Sequence, residues 1–305
     1  MADRRSEHGY GGPSDALKTY RYLRLGIVAA VVLLATSLVL ELRRSDVWLG
    51  SISAYYYTPV RSVFVGCMMM VGLSLIVIKG RGAEDLLLNI AGMLAPVVAL
   101  VPTGASKECS LVVEDAASAA ARRLAYPAPG PCDATAVLRA PTNIDNNIRS
   151  LVFAGILCLI VGALLALVHA LRSDRGLRSH VEEVEPGTKR SLAVMLLLIV
   201  AGLTWYTVDR SGFDAYAHFT AAGAMFVFLF LAVTSKVIEH RRAQRRRFVR
   251  WYSAIGVLMV LGAASFAHDR FDRDHHVFLL EAWEIASFAG FWILQTWENW
   301  WDEPS

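Results

Sequence analysis

Eight long apolar windows constrain the fold of this chain more than any other feature of its sequence. A helix needs about 20 mostly apolar residues to cross the hydrocarbon core of a bilayer, and each window approaches that length. Window 85–102 is the weakest, because it is short and contains Pro96. The pattern predicts an all-α polytopic transmembrane helical bundle with about eight spans. The windows cover residues 22–42, 60–79, 85–102, 150–171, 191–208, 217–238, 249–267 and 277–297.

The composition and the amino-terminal segment agree with this class. Of the 305 residues, 55% are hydrophobic, whereas soluble domains hold about 45–50% apolar residues. Residues 1–21 are polar, and the apolar run that follows is too long for the core of a cleaved signal. We therefore expect a disordered cytoplasmic head over residues 1–21, a single transmembrane helical domain over 22–301, and an outer loop over 103–149.

Basic residues predict which side of the membrane each loop occupies. If the amino terminus is cytoplasmic, 19 of the 30 Lys and Arg residues fall on cytoplasmic segments. This excess follows the positive-inside rule, so both termini are predicted to be cytoplasmic. The run IEHRRAQRRRFVR (238–250) is the strongest part of the pattern. Between two spans we interpret it as a topology anchor, and we expect no nucleic acid as a partner.

The cysteines predict a covalent link in the outer loop. Cys109 and Cys132 both lie in 103–149, on the face of the membrane where thiols oxidise, and we expect them to form a disulfide. A two-cysteine metal site is the alternative, but neither a nearby His nor a CxxC spacing accompanies the pair. Cys67 and Cys158 fall inside spans, where packing is their ordinary role.

The stretch SISAYYYTPVRSVFVG (51–66) is unusual just before an apolar window. Aromatic rings are enriched at the membrane surface, which explains one or two of the three tyrosines. Consecutive side chains point in different directions, so some of these rings face the bundle or the outer loops. A purely anchoring role is the alternative. The ligand-binding residues predicted here are Ser53, Tyr55, Tyr56, Tyr57 and Arg61.

A second polar cluster, PTNIDNNIRS (141–150), precedes the fourth span. Asn143 and Asn147 offer hydrogen-bond donors and acceptors, and we predict both as further ligand-binding residues. The alternative is helix capping, because an Asn or Asp before a span satisfies backbone amides that have no partner within the helix.

Ionisable residues at membrane depth are the most informative in the chain. Glu281 and Glu284 lie three residues apart in the last span, hence on one face of a helix. A carboxylate at this depth costs at least a few kcal/mol, so it should be paired, protonated or facing a cavity. Together with His218 at the start of the sixth span, they are the predicted catalytic residues; a structural ion pair between helices is the competing explanation. The expected partners are Arg61, His218, His268, His275 and His276.

Three stretches carry a resemblance to known membrane proteins: SISAYYYTPVRSVFVG, AHFTAAGAMFVF and EAWEIASFAGFW. They resemble an uncharacterised bacterial family of polytopic membrane proteins and, more distantly, the DRAM-like six-helix membrane proteins. The resemblance covers mainly residues 45–102 and 216–297, and spans four and five look like an added hairpin. It implies a location in a bacterial cytoplasmic (inner) membrane, and no settled activity. The matching positions are Ile52, Ser53, His218, Ala222, Gly223, Glu281, Trp283 and Glu284.

These residues predict an integral membrane protein whose outward-facing polar pocket binds or processes a lipid or a small envelope ligand. No matching polar cluster is expected on the inner side, which favours a pocket open on one side over a carrier. The alternatives are a scaffold with structural ion pairs and a proton- or cation-coupled transporter. A zinc hydrolase is disfavoured because no span carries the His-x-x-x-His spacing. Apart from the bilayer and that ligand, the sequence specifies neither a partner nor a cofactor.

Overall fold

The computed structural model describes residues 13–80, 82–104, 109, 132–172, 186–267 and 275–300. Within these ranges the secondary structure is helical, and no strand occurs. A short 3-10 helix, Ser53–Tyr57, lies in the connection between the first two α-helices. The α-helices in chain order are α1 Pro13–Ser45, α2 Arg61–Val77, α3 Ala83–Leu100, α4 Ala134–Leu138, α5 Ala140–Arg172, α6 Pro186–Val208, α7 Arg210–Arg242, α8 Arg246–Ala267 and α9 His276–Glu298.

Seven of the described helices, α1, α3 and α5 to α9, are long and apolar enough to cross a membrane. The remaining predicted span corresponds to α2, an apolar helix of 17 residues. Each of the eight apolar windows therefore corresponds to one helix, and the protein has the helices of an integral membrane protein. The window expected to be the weakest forms α3, an 18-residue helix with Pro96 inside it.

Six helices, α1 to α3 and α7 to α9, pack together as a bundle. The contacts of α3 with α7 and α2 are the most extensive, α1 packs on α2 and α9, and α8 joins α7 to α9. Gly72 of α2 and Gly92 of α3 lie so close that a Cβ on either would come within 2.7 Å of the carbonyl oxygen of the other. Small residues let transmembrane helices approach in this way, so these two glycines set the spacing of α2 and α3.

The helices α5 and α6 lie at the edge of this bundle. They make the fewest contacts of the long helices. Every residue of α5 from Phe153 to His169 is exposed. In a bilayer such a surface contacts lipid chains, which are as apolar as leucine. These two helices are the predicted spans four and five, which look like an added hairpin in the resemblance to known membrane proteins.

Two boundaries differ from the sequence-based expectation. The helix α1 begins at Pro13, so residues 13–21 are helical although they were expected to belong to a disordered head. The rest of that head lies outside the described residues. The helix α5 begins at Ala140, so residues 140–149 extend the fourth span instead of ending the outer loop.

The predicted disulfide joins Cys109 to Cys132, with their Cα atoms 5.3 Å apart. Both cysteines are buried. Immediately after Cys132, the backbone N–H of Asp133 donates a 2.7 Å hydrogen bond to the carbonyl oxygen of Tyr57. This hydrogen bond connects the base of the loop that follows α3 to the 3-10 helix. Residues 110–131 lie outside the described ranges.

The bundle has two distinguishable ends. We call the end where α1 begins and α9 finishes the arginine end, and the opposite end, which carries Ser53–Tyr57, the tyrosine end. At the arginine end, Arg21 donates a hydrogen bond to the carbonyl oxygen of Trp300. The first and last described segments of the chain therefore lie together at the same end.

Buried polar side chains connect four helices at the arginine end. Arg24 of α1 donates a 3.0 Å hydrogen bond to Gln295 of α9, and Gln295 in turn donates to Glu84 of α3. The Nζ atom of Lys236, on α7, lies 3.5 Å from Glu84 and 2.9 Å from Glu239. The sequence predicted no polar cluster on the inner side of the membrane, and this network lies at the end that carries the termini, which were predicted to be inside. Buried charges in a membrane need such partners, because lipid offers none.

A second group at the arginine end joins α7, α8 and α9 around Glu298. Its carboxylate accepts a 2.6 Å hydrogen bond from the Tyr252 hydroxyl and lies 3.0 Å from Nε2 of His240. The His240 ring stacks on Tyr252, with the ring centroids 5.3 Å apart and the planes almost parallel. The residues of the last turn of α9 thus serve as acceptors for side chains from two earlier helices.

The substitution Lys236→Met tests whether these charges hold the bundle together. It removes the cation beside Glu84, and breaking a buried ion pair on one side costs about 3 kcal/mol. We expect a matching fall in the free energy of unfolding, measured by titrating the detergent-solubilised protein with SDS. The double variant with Glu84→Gln should regain part of that loss, and the exposed Lys189→Met should unfold like wild type. An unchanged transition in Lys236→Met would show that the pair contributes nothing.

Candidate functional site

A cavity of about 530 Å³ lies between α7, α8 and α9 in the tyrosine half of the bundle. Its volume falls within the range of about 300–1,000 Å³ that is usual for small-molecule sites. The wall is mostly apolar and includes Phe226 and Phe230 of α7, Met259 of α8 and Leu280 of α9. Three lining residues carry polar groups, and they are the predicted catalytic residues His218, Glu281 and Glu284.

The cavity opens sideways, between helices. Phe219, Val227 and Val260 line it, and each is about half exposed. All three lie on helices that are apolar and long enough to cross a membrane. The open side of the cavity therefore faces the region that hydrocarbon chains would occupy.

His218 uses one ring nitrogen for structure and leaves the other one unpaired. Nδ1 lies 2.7 Å from the carbonyl oxygen of Val101. A carbonyl only accepts, so Nδ1 carries the proton and Nε2 is an acceptor in the neutral ring. Nε2 is buried and has no hydrogen-bond partner among the described residues. Such a group is costly unless something else supplies a donor.

Three of the predicted site residues bind the carbonyl groups at the end of α3. Asn147 donates to Leu100 over 3.0 Å, His218 pairs with Val101, and the Tyr57 hydroxyl donates to Thr103 over 2.5 Å. The last carbonyls of a helix have no partner within it, and lipid supplies no donor. For Asn147 and Tyr57 these contacts are structural, and neither residue lines the cavity.

Glu281 is bound to the 3-10 helix of the tyrosine end. Its carboxylate accepts hydrogen bonds from the backbone N–H of Ile52 (2.5 Å), from the N–H of Ser53 (3.3 Å) and from the Ser53 hydroxyl (2.7 Å). These are donors at the start of a helix, which need an acceptor. The contacts to Ile52 and Ser53 correct the expectation that Arg61 or a histidine would be the partner. Glu281 therefore positions the loop while it also forms part of the cavity wall.

The tyrosines of the 3-10 helix point into the protein and not to the membrane surface. Tyr55, Tyr56 and Tyr57 are buried. The Tyr55 hydroxyl accepts from the N–H of Leu49, and the Tyr56 hydroxyl accepts a 2.9 Å hydrogen bond from Arg61. Burial raises the pKa of Tyr57 to about 12, so its hydroxyl stays a donor at any physiological pH. All three rings lie outside the cavity lining, which separates them from His218 and Glu284.

Glu284 differs from Glu281 because it has no partner. The side chain is buried and lines the cavity, and it forms no hydrogen bond with any described residue. Its position depends on Gly262 of α8, where an added Cβ would lie 3.0 Å from a Glu284 carboxyl oxygen and 2.4 Å from Trp283. An intramembrane carboxyl group in this position is expected to serve a ligand or a proton, since burying it otherwise only costs free energy.

The asparagine cluster belongs to a separate polar contact between α5, α6 and α7. Asn143 is half-buried within the first turn of α5. Two residues on, Asp145 accepts from the Tyr206 hydroxyl at 2.5 Å and lies 3.1 Å from Arg210 and 2.7 Å from Arg149. Sequence analysis missed this group; the Asp145–Arg149 spacing of four residues was the only signal for it. Across the described residues no three His, Cys, Asp or Glu side chains are placed to hold a metal ion.

Replacing Glu281 by Leu tests its role in holding the loop. The amides of Ile52 and Ser53 would lose a charged acceptor, which is worth about 1.5–3 kcal/mol per bond. We expect these two amides to exchange hydrogen at least ~10-fold faster, as followed by mass spectrometry of peptides covering residues 48–58. Ser53→Ala, which removes only the hydroxyl, should give a smaller effect. Equal exchange in Glu281→Leu and wild type would contradict the assignment.

Comparison with protein-family models, with curated proteins and with solved structures finds no match to this chain. The resemblance drawn from residues 45–102 and 216–297 therefore stays a prediction. The cavity and the contacts around it are therefore the evidence that bears on function.

Proposed function

We propose that this integral membrane protein binds a membrane amphiphile in the cavity between α7, α8 and α9. One observation carries the proposal: His218 and Glu284 line the same mostly apolar cavity, and neither His218 Nε2 nor the Glu284 carboxyl group has a hydrogen-bond partner among the described residues. Apolar cavities with a few convergent polar groups are the usual form of ligand sites. The apolar wall suits a hydrocarbon chain, and the two polar groups suit a head.

The sideways opening supports a ligand that arrives from the bilayer. A chain in the membrane can enter past Phe219 and Val260 without crossing water. Burial of a chain against protein instead of lipid gains little hydrophobic free energy, because both surroundings are apolar. Selection must therefore come from packing and from the polar groups.

Binding is better supported than catalysis or transport. Glu281, one of the predicted catalytic residues, accepts three hydrogen bonds from the 3-10 helix and is not available as a base. Coupled transport draws some support from the buried charges Arg24, Glu84 and Lys236 at the arginine end. Those groups pair with one another, however, and none of them lines the cavity.

We also infer that the arginine end faces the cytoplasm of a bacterial cell, across its inner membrane. The excess of Lys and Arg on segments of this end supports that orientation. The short turn between α7 and α8 alone is flanked by Arg241, Arg242, Arg245, Arg246 and Arg247.

Single cysteines can test this orientation in intact bacterial cells, in a chain whose Cys67 and Cys158 are replaced by Ser. Gly104→Cys, at the tyrosine end, should react with a membrane-impermeant maleimide before lysis. Ala243→Cys, in the turn of the arginine end, should react only after lysis. Both residues are exposed, so access differs only by the side of the membrane. The reverse pattern would invert the topology.

Gly223→Leu tests the cavity as a binding site. Gly223 lines the cavity, and an added Cβ there meets no atom within 4 Å, so a leucine fills the space without a clash in the bundle. We expect the occupancy of a dodecyl-chain probe, measured by native mass spectrometry of the purified protein, to fall by at least ~10-fold. Gly155→Leu is the matched control, an exposed glycine of α5 that also has open space around it. Equal loss in both variants, or no loss in either, would remove the cavity as the site.

A further inference from the structure

We infer that the ligand carries a hydrogen-donating head, a hydroxyl or an amine, and that His218 and Glu284 recognise it. The inference rests on the proposed function, since it names the chemical class of the amphiphile that the same cavity takes. It depends on which hydrogen-bonding groups the cavity offers and which of them the protein already uses.

The tautomer of His218 fixes the first of these groups. Because Nδ1 donates to the carbonyl oxygen of Val101, Nε2 of this cavity-lining residue is left as an acceptor without a described partner. The side chain is only 3% exposed, so water from the bulk does not readily satisfy Nε2. The other tautomer, with the proton on Nε2, is unfavourable because the buried carbonyl of Val101 would then lose its hydrogen-bond donor.

Glu284 supplies the second group, and it too accepts. Its carboxyl oxygens are free of described partners, whereas Glu281 is fully engaged by Ile52 and Ser53. Beside an ionised carboxylate an ammonium head gains a charge-assisted hydrogen bond, and a hydroxyl head donates to either charge state. A hydrogen donor on the ligand is therefore what both groups lack.

The charge of the described wall disfavours the opposite class of head. Among the described residues that line the cavity, none is Lys or Arg. From α7 the cavity receives His218 as its polar group, from α9 the two glutamates, and from α8 only apolar side chains. Against the described part of the wall, a carboxylate or phosphate head would meet acceptors and no cation, which is unfavourable at low dielectric constant.

Four probes with the same chain and different heads separate these interactions: dodecylamine, 1-dodecanol, dodecanoate and dodecane. Each is offered to the purified full-length protein, and its occupancy is measured by native mass spectrometry. We expect dodecylamine and 1-dodecanol to bind at least ~10-fold more tightly than dodecanoate and dodecane, as one or two extra hydrogen bonds to buried groups would give. Glu284→Leu should reduce dodecylamine binding toward that of dodecane and leave dodecane unchanged.

The outcomes distinguish the two proposals. If all four probes bind equally and Gly223→Leu abolishes their binding, the cavity binds hydrocarbon chains without selecting the head group. The inference is then overturned, while the proposed function stands. Preference for dodecanoate overturns it as well. If no probe binds the wild-type protein, both the proposed function and the inference are contradicted. Should Glu284→Leu fold poorly, Glu284→Gln keeps the volume, removes the charge and leaves one oxygen as an acceptor; it should weaken dodecylamine binding and retain 1-dodecanol binding.

Discussion

The absence of hydrogen-bonding partners in lipid governs the polar structure of this protein. Every buried donor and acceptor must find its partner within the chain, because an unsatisfied group in hydrocarbon costs several kcal/mol. The end of α3 shows the result: the carbonyls of Leu100, Val101 and Thr103 receive donors from three other elements. The start of the 3-10 helix shows the converse, since Glu281 supplies the acceptor that its N–H groups require.

Buried polar atoms without a partner are exceptions to this rule, and they indicate where a ligand could bind. A few buried polar atoms lack partners within the described ranges, among them Nε2 of His218. At the arginine end such atoms lie in closely packed groups of charged and aromatic side chains, as with His240 between Phe248 and Tyr252. His218 and Glu284 instead border open space. The combination of unmet polar groups with a cavity is what separates a candidate site from a structural network.

The sequence predicted the helices well, because a run of apolar residues is a local property that one chain segment displays by itself. It predicted Glu281, Glu284 and His218 as site residues, since intramembrane ionisable residues are rare. It could not predict their partners. Those of Glu281 are mainly backbone amides, which every residue has and no pattern marks. Lys236 lies near the end of a predicted span, and only the packing of α3 against α7 brings it to Glu84.

The arginine-end network also has a consequence for assembly. Gln295 joins Arg24 of the first helix to Glu84 of the third, yet it belongs to the last one. A chain still on the ribosome must keep those two residues in the membrane without that link until α9 arrives. The link that Gln295 provides between α1 and α3 therefore forms only after α9 has entered the membrane beside them.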